Sequence, residues 1–132
     1  MSKKKILIVE DDLDLVNALT KRLRANSYDT IYALDAASAI QEAHKEKPDV
    51  IVLDIGLPGG DGFSVKKELD SSVYLSDIPV IVITAQNDST TFKRSWRAGV
   101  AAFFQKPFDD QQLLSIVETV LGEPSLIEEK EE

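Results

Sequence analysis

The chain has no cysteine, and it has only one histidine, one tryptophan and one methionine among 132 residues. Without cysteine there is no disulfide framework, no thiolate zinc site and no iron–sulfur cluster. A single His44 cannot build a multi-histidine metal site. Long apolar runs are missing too. Ile6 to Val9 and Val80 to Ile83 fall far below the roughly 18 residues a membrane span requires. Acids follow the first of these runs at once, at Glu10, Asp11 and Asp12, so the segment does not read as a secretory leader. The expected location is cytoplasmic, with no membrane partner. Positive charge is scarce: 15 Lys and Arg stand against 23 Asp and Glu, for a net charge of −8. The one basic run, Lys3 to Lys5, stops at the first apolar stretch. Neutralising phosphates takes clustered cations, so no nucleic-acid partner is expected.

What is present is an alternation. At 43% hydrophobic residues the chain has enough for one core and is short for two. Short β-branched runs and helical patterns succeed each other five times. The first strand, Ile6 to Val9, leads into a helix with Val16, Leu19 and Leu23 at helical spacing, capped by Asp12 or Asp14. Tyr28 to Ala33 reads as a strand of edge character. A helix marked by Ala36, Ala39, Ile40 and Ala43 follows, closed by Pro48. Asp49 to Leu53 is apolar without alternation, the pattern of a strand buried on both faces. Gly56, Pro58, Gly59, Gly60 and Gly62 lead to a helix over Phe63 to Asp70. The fourth strand is Val80 to Ile83 and the fourth helix Asp88 to Ala98. The fifth strand runs from Val100 to Gln105. The fifth helix starts at Asp109, where Asp109 and Gln112 have capping-box spacing. Such βα units imply a doubly wound five-stranded parallel α/β sheet of flavodoxin-like type. The domain is expected over residues 3–121. Residues 122–132, rich in glutamate, are expected to stay disordered.

Ligands of an open parallel sheet bind beyond the carboxyl ends of its strands. Those ends carry Glu10 and Asp11, Asp54, Thr84 and Lys106. Three carboxylates drawn together repel, so one takes a proton or a divalent cation neutralises them. An all-oxygen site without His or Cys favours magnesium or manganese. Asp54 beside such an ion, with Lys106 and Thr84 near it, makes a phosphoryl-transfer constellation. Asp54 is then the nucleophile, Lys106 a point charge and Thr84 a hydrogen-bond donor.

The segments ILIVEDD, DVIVLDIGLPGGDGF, IPVIVITAQND and FFQKPF resemble the receiver domain of two-component response regulators, over roughly Lys4 to Leu121. The resemblance implies that Asp54 accepts a phosphoryl group from a histidine on a sensor kinase or phosphotransfer protein. It implies Asp11 as a direct magnesium ligand, Glu10 acting through water, the Gly56 carbonyl as a further ligand beside Asp54, and a cis bond before Pro107. It also implies a switch, in which Thr84 moves toward the phosphoryl group and Phe103 turns inward. The surface of the fourth helix, fifth strand and fifth helix then changes for a downstream protein. On this reading the protein is a signalling switch that catalyses only its own phosphoryl uptake and loss, not an enzyme on a separate substrate. Gly56 departs from the side chain usual at that position, and Phe103 lacks the hydroxyl of a tyrosine.

Blander readings stand beside these. Asp12 and Asp14 suit helix capping better than metal binding. Phe103 serves equally well as a core aromatic, Phe104 faces the core, and His44 is a solvated surface residue. Phe92 and Trp96, four apart on one helix, share a face. Thr91, Ser95 and Ala98 supply a smaller stripe for the sheet, so the two aromatics are expected outside, as partner anchors. Rival functions fit less well. A dehalogenase-type hydrolase needs an acid where Gly56 stands, and a dinucleotide fold needs a glycine turn where Glu10 to Asp12 stand.

Overall fold

The structure, a computed structural model, describes residues 3–57, 62–85 and 89–122. Ten elements alternate: β1 (Lys5–Val9), α1 (Leu13–Ala25), β2 (Asp29–Ala33), α2 (Ala36–Glu46), β3 (Val50–Asp54), α3 (Gly62–Asp70), β4 (Val80–Thr84), α4 (Ser89–Arg97), β5 (Ala102–Gln105) and α5 (Asp110–Val120). The strands form one parallel sheet in the order β2-β1-β3-β4-β5. This is the doubly wound, flavodoxin-like arrangement expected from the alternation, and its strand order reverses between β1 and β3.

Side chains of successive strand residues leave opposite faces of the sheet, so each strand feeds two cores. On one face Leu7, Val9, Ile51, Leu53, Val80 and Val82 pack with Ala39 and Ala43 of α2 and with Val65 and Leu69 of α3. On the other, Ile6, Ile8, Val50, Val52, Ile81 and Ile83 meet Val16, Leu19 and Leu23 of α1 and Leu113 and Val117 of α5. Every residue of β3 and β4 is buried. That is why these strands read as unbroken apolar runs.

Local chemistry ends the elements. Asp12 caps α1, its carboxylate accepting from the N–H groups of Asp14 and Leu15. Tyr28, expected as the first residue of a strand, instead donates its N–H to the Leu23 carbonyl and closes α1 before β2 begins. Val100 and Ala101, expected within the fifth strand, form its lead-in. At α5, Asp109 caps the helix by accepting from the N–H of Gln111. The expected pairing with Gln112 is not a side-chain box: the Gln112 N–H bonds to the Asp109 backbone carbonyl. Gly59, Gly60, Asp88 and the glutamate-rich segment 123–132 lie outside the described residues.

Candidate functional site

Five polar residues gather at the carboxyl edge of the sheet because the central strands stop in register there. Glu10 follows β1, Asp54 closes β3, Thr84 closes β4 and Lys106 follows β5. Glu10, Asp54 and Thr84 are buried, and Asp11 is exposed at the rim. Glu10, Asp11 and Asp54 each offer a carboxylate oxygen within 4.8 Å of the others.

The repulsion expected among these acids is met in part by Lys106. Its Nζ lies 2.5 Å from Glu10 Oε1 and 3.1 Å from Asp54 Oδ2. Burial drives the Glu10 carboxyl above its ordinary value, against the pull of the Lys106 ammonium and the Asp12 N–H. For Lys106, burial acts to lower the titration point. The hydrogen bonds to Glu10 and Asp54 outweigh it, so Lys106 titrates above its ordinary value and stays cationic near neutral pH.

Backbone groups fix the remaining geometry. The Gly56 N–H donates to Asp54 Oδ1 at 2.8 Å, and the Asp12 N–H donates to Glu10 Oε2 at 2.9 Å. Asp54 therefore has one oxygen on a backbone donor and the other on a lysine. The Lys106 N–H donates to the Thr84 carbonyl at 2.7 Å, and the Lys106–Pro107 bond is cis, as expected. A Cβ on Gly56 would stand 3.5 Å from Asp54 Oδ1, an ordinary contact, so none of the described residues forces glycine there.

The family model for the response regulator receiver domain matches residues 6–118. The chain belongs to this family. Among curated relatives, this receiver domain is 32% identical to the protein PilH of Pseudomonas aeruginosa over 118 residues, covering 89% of this chain and 98% of PilH. It is 34% identical to the alkaline phosphatase synthesis transcriptional regulatory protein PhoP of Bacillus subtilis, of whose length it spans 48%. Among solved structures, a putative response regulator from Chloroflexus aurantiacus superposes with a TM-score of 0.86 at 30% identity, covering 92% of this chain and 99% of that one. Among the described residues of the receiver domain, no helix is long and apolar enough to cross a membrane.

A second feature lies on the side of β5. Phe92 and Trp96 of α4 are about half exposed, while Thr91 and Ser95 are buried against the sheet, as their spacing predicted. The Phe92 ring meets Trp96 edge-on at 5.9 Å and Phe103 edge-on at 5.4 Å. Phe103 is partly buried against the core of the α2 and α3 face, and Phe104 against the other core. Phe103 thus joins the core to the surface aromatics. A cleft of about 620 Å³ opens there, lined by Trp96, Phe103, Phe104, Gln112, Ser115 and Ile116 among others. His44 is exposed, as expected.

Sequence reasoning missed the Glu10–Lys106 ion pair, whose partners stand 96 residues apart. It also missed Gly62. A Cβ there would sit 2.5 Å from Ile55 Cα and 2.8 Å from the Asp54 carbonyl oxygen. The only available signal was a glycine eight residues after Asp54, among four other glycines and prolines of one loop.

Proposed function

We propose that Asp54 accepts a phosphoryl group from a phosphohistidine on a sensor kinase or histidine phosphotransfer protein, and that a downstream protein reads the outcome on α4, β5 and α5. The observation that supports this most directly is the setting of Asp54. It is a buried carboxylate at the strand-order reversal, with Lys106 Nζ on one oxygen and the Gly56 N–H on the other.

In the transfer, an Asp54 carboxylate oxygen attacks phosphorus as the bond from phosphorus to the donor imidazole nitrogen breaks. The electron pair stays on that nitrogen, a proton replaces the phosphoryl group there, and Asp54 becomes an acyl phosphate. In the loss, a water oxygen attacks phosphorus, the acyl oxygen leaves with its electron pair, and carboxylate and inorganic phosphate result. Lys106 lies where it balances charge on the phosphoryl oxygens. The bare backbone at Gly56 leaves the approach of water open, which favours a short-lived acyl phosphate.

The donor set fits magnesium or manganese: carboxylate oxygens only, with exposed Asp11 at the open side. Asp11 and Asp54 would hold the ion directly, with the Gly56 carbonyl, and Glu10 through water. When bound, it supplies positive charge that offsets the acids and the incoming phosphoryl group.

Thr84 donates its hydroxyl to a phosphoryl oxygen, and Phe103 moves with it. Shifting a two-state ratio from 1:99 to 99:1 needs about 5.5 kcal/mol. A hydrogen bond to a charged group gives roughly 1.5–3 kcal/mol, so Thr84 needs Lys106 and partner binding to complete the shift. The protein acts as a cytoplasmic signalling switch that turns over only its own phosphoryl group. The test is incubation with phosphoramidate, a small phosphorus–nitrogen donor, with and without magnesium. Label is expected on the native chain with magnesium and absent from Asp54→Asn. Equal labelling of both would overturn the reading.

A further inference from the structure

The chain carries a net charge of −8, yet α4 has three cations, Lys93, Arg94 and Arg97, and no carboxylate. Helical spacing divides the outer surface of this helix into two ridges. Phe92 and Trp96 lie on the side of β5 and the cleft, Lys93 follows around the helix, and Arg97 lies beyond it on the α3 side, lining a groove with Phe63, Lys66 and Asp70. Arg94 lies furthest round, its guanidinium 4.1 Å from the Phe63 ring of α3. Lys93 and Arg97 are exposed and form no ion pair with the described residues. The surface therefore asks for a segment with apolar side chains for the cleft and acids for the cation beside it, Lys93.

The sequence after α5 has that chemistry. Residues 122–132 read GEPSLIEEKEE: Leu126 and Ile127 are followed by Glu128, Glu129, Glu131 and Glu132, with Lys130 the single cation. Topology brings the two together. Each helix runs back from the carboxyl edge of a parallel sheet, so α4 and α5 both end at the opposite edge, on either side of β5. Ser115 and Ile116 line the cleft and lie about 10 Å up α5 from Gly122, at roughly 1.5 Å per residue. Leu126 and Ile127, at up to about 3.5 Å per extended residue, reach that far. The glutamates beyond them then reach toward Lys93.

We propose that residues 123–132 dock on the cleft between α4 and α5, with Leu126 and Ile127 in its apolar part and the glutamates against Lys93. Tethering holds the segment at roughly millimolar effective concentration, so a weak intrinsic affinity is enough to populate the docked state. The docking stands independently of Asp54. Its regulatory meaning rests on the reading of this face as the output surface, where the segment acts as a built-in competitor that a downstream partner displaces.

Trp96 is the only tryptophan of the chain and lines the cleft, so its emission reports the occupant directly. The test compares the full chain at low salt with a chain ending at Gly122 and with the double variant Leu126→Ser, Ile127→Ser. The expected result is emission at longer wavelength in both variants, recovered in the truncated chain by a peptide of residues 122–132. About 1 M salt, which cuts the screening length to about 3 Å, shifts the full chain the same way. Superimposable spectra of the three chains at low salt would overturn the proposal. So would a difference that scales with protein concentration, which would make a second copy the occupant. Phosphoryl uptake is measured on the same samples. Its absence in all of them would contradict the role of Asp54 and leave the tryptophan result standing.

Discussion

Replacing Gly62 with alanine tests how tightly the acidic pocket is closed from below. The added Cβ would stand 2.5 Å from Ile55 Cα and 2.8 Å from the Asp54 carbonyl oxygen, and backbone atoms of a fully buried strand end cannot rotate out of the way. Overpacking of this kind costs about 1–3 kcal/mol, occasionally more. At roughly 2.1 cal/mol/K of unfolding entropy per residue, a chain of this length has about 0.3 kcal/mol/K, so Gly62→Ala is expected to lower Tm by about 3–10 °C. Because the strain falls on the backbone of Asp54 and Ile55, magnesium affinity and phosphoryl uptake are expected to fall as well. Gly56→Ala is the matched control. Its Cβ meets Asp54 Oδ1 at an ordinary 3.5 Å, so Tm is expected to stay close to native, while the life of the acyl phosphate lengthens. Calorimetry and decay of labelled protein read the two quantities. Equal Tm for Gly62→Ala and the native chain would refute the packing argument.

Asp11→Asn removes one charge from a crowded acidic group and is expected to stabilise the metal-free protein by about 0.5–2 kcal/mol, while abolishing the rise of Tm that is expected when magnesium is added to the native chain. Trp96→Ala takes away a half-exposed ring and one edge-on contact with Phe92; the contact alone is worth about 0.5–1.5 kcal/mol beyond the area the ring buries, so urea unfolding is expected to show a loss of at least that size. Its binding to a downstream partner is expected to drop much further in a pull-down with a beryllofluoride mimic. Asp35 caps α2 by accepting from the Ser38 N–H at 2.8 Å, and that bond holds its carboxyl below the ordinary value. Its stabilising effect is therefore full above the ordinary aspartate range and lost as pH falls through the depressed titration. Asp35→Ala and the native chain are expected to differ in urea midpoint at neutral pH and to converge in strong acid.

The central strands and the acids at their ends were legible because burial on both faces leaves an uninterrupted β-branched run, and Glu10, Asp54 and Thr84 each stand at the point where such a run stops. The outer strands were less so. Val100 carries the composition of a strand but serves as a buried lead-in, and Tyr28 is claimed by the end of α1. At α5 the residue types of a capping box are present, yet Asp109 satisfies its own cap through Gln111, and spacing alone does not choose between the two N–H groups. Within the site, the identities of Glu10, Asp54 and Lys106 could be read, whereas the lysine shared between the two acids depends on chain segments far apart in sequence. The cationic side of α4 escaped notice for a related reason. Its charges are interleaved with aromatic and small residues, so they form a ridge only once the helix is wound.

The most direct test of Asp54 as the phosphoryl acceptor is the intact mass of the protein after treatment with acetyl phosphate and magnesium, for the native chain and for Asp54→Asn. A single added phosphoryl group on the native chain, absent from the variant and absent without magnesium, is the expected result. A native chain that gains no phosphoryl group, or a variant that gains one as readily, would contradict it.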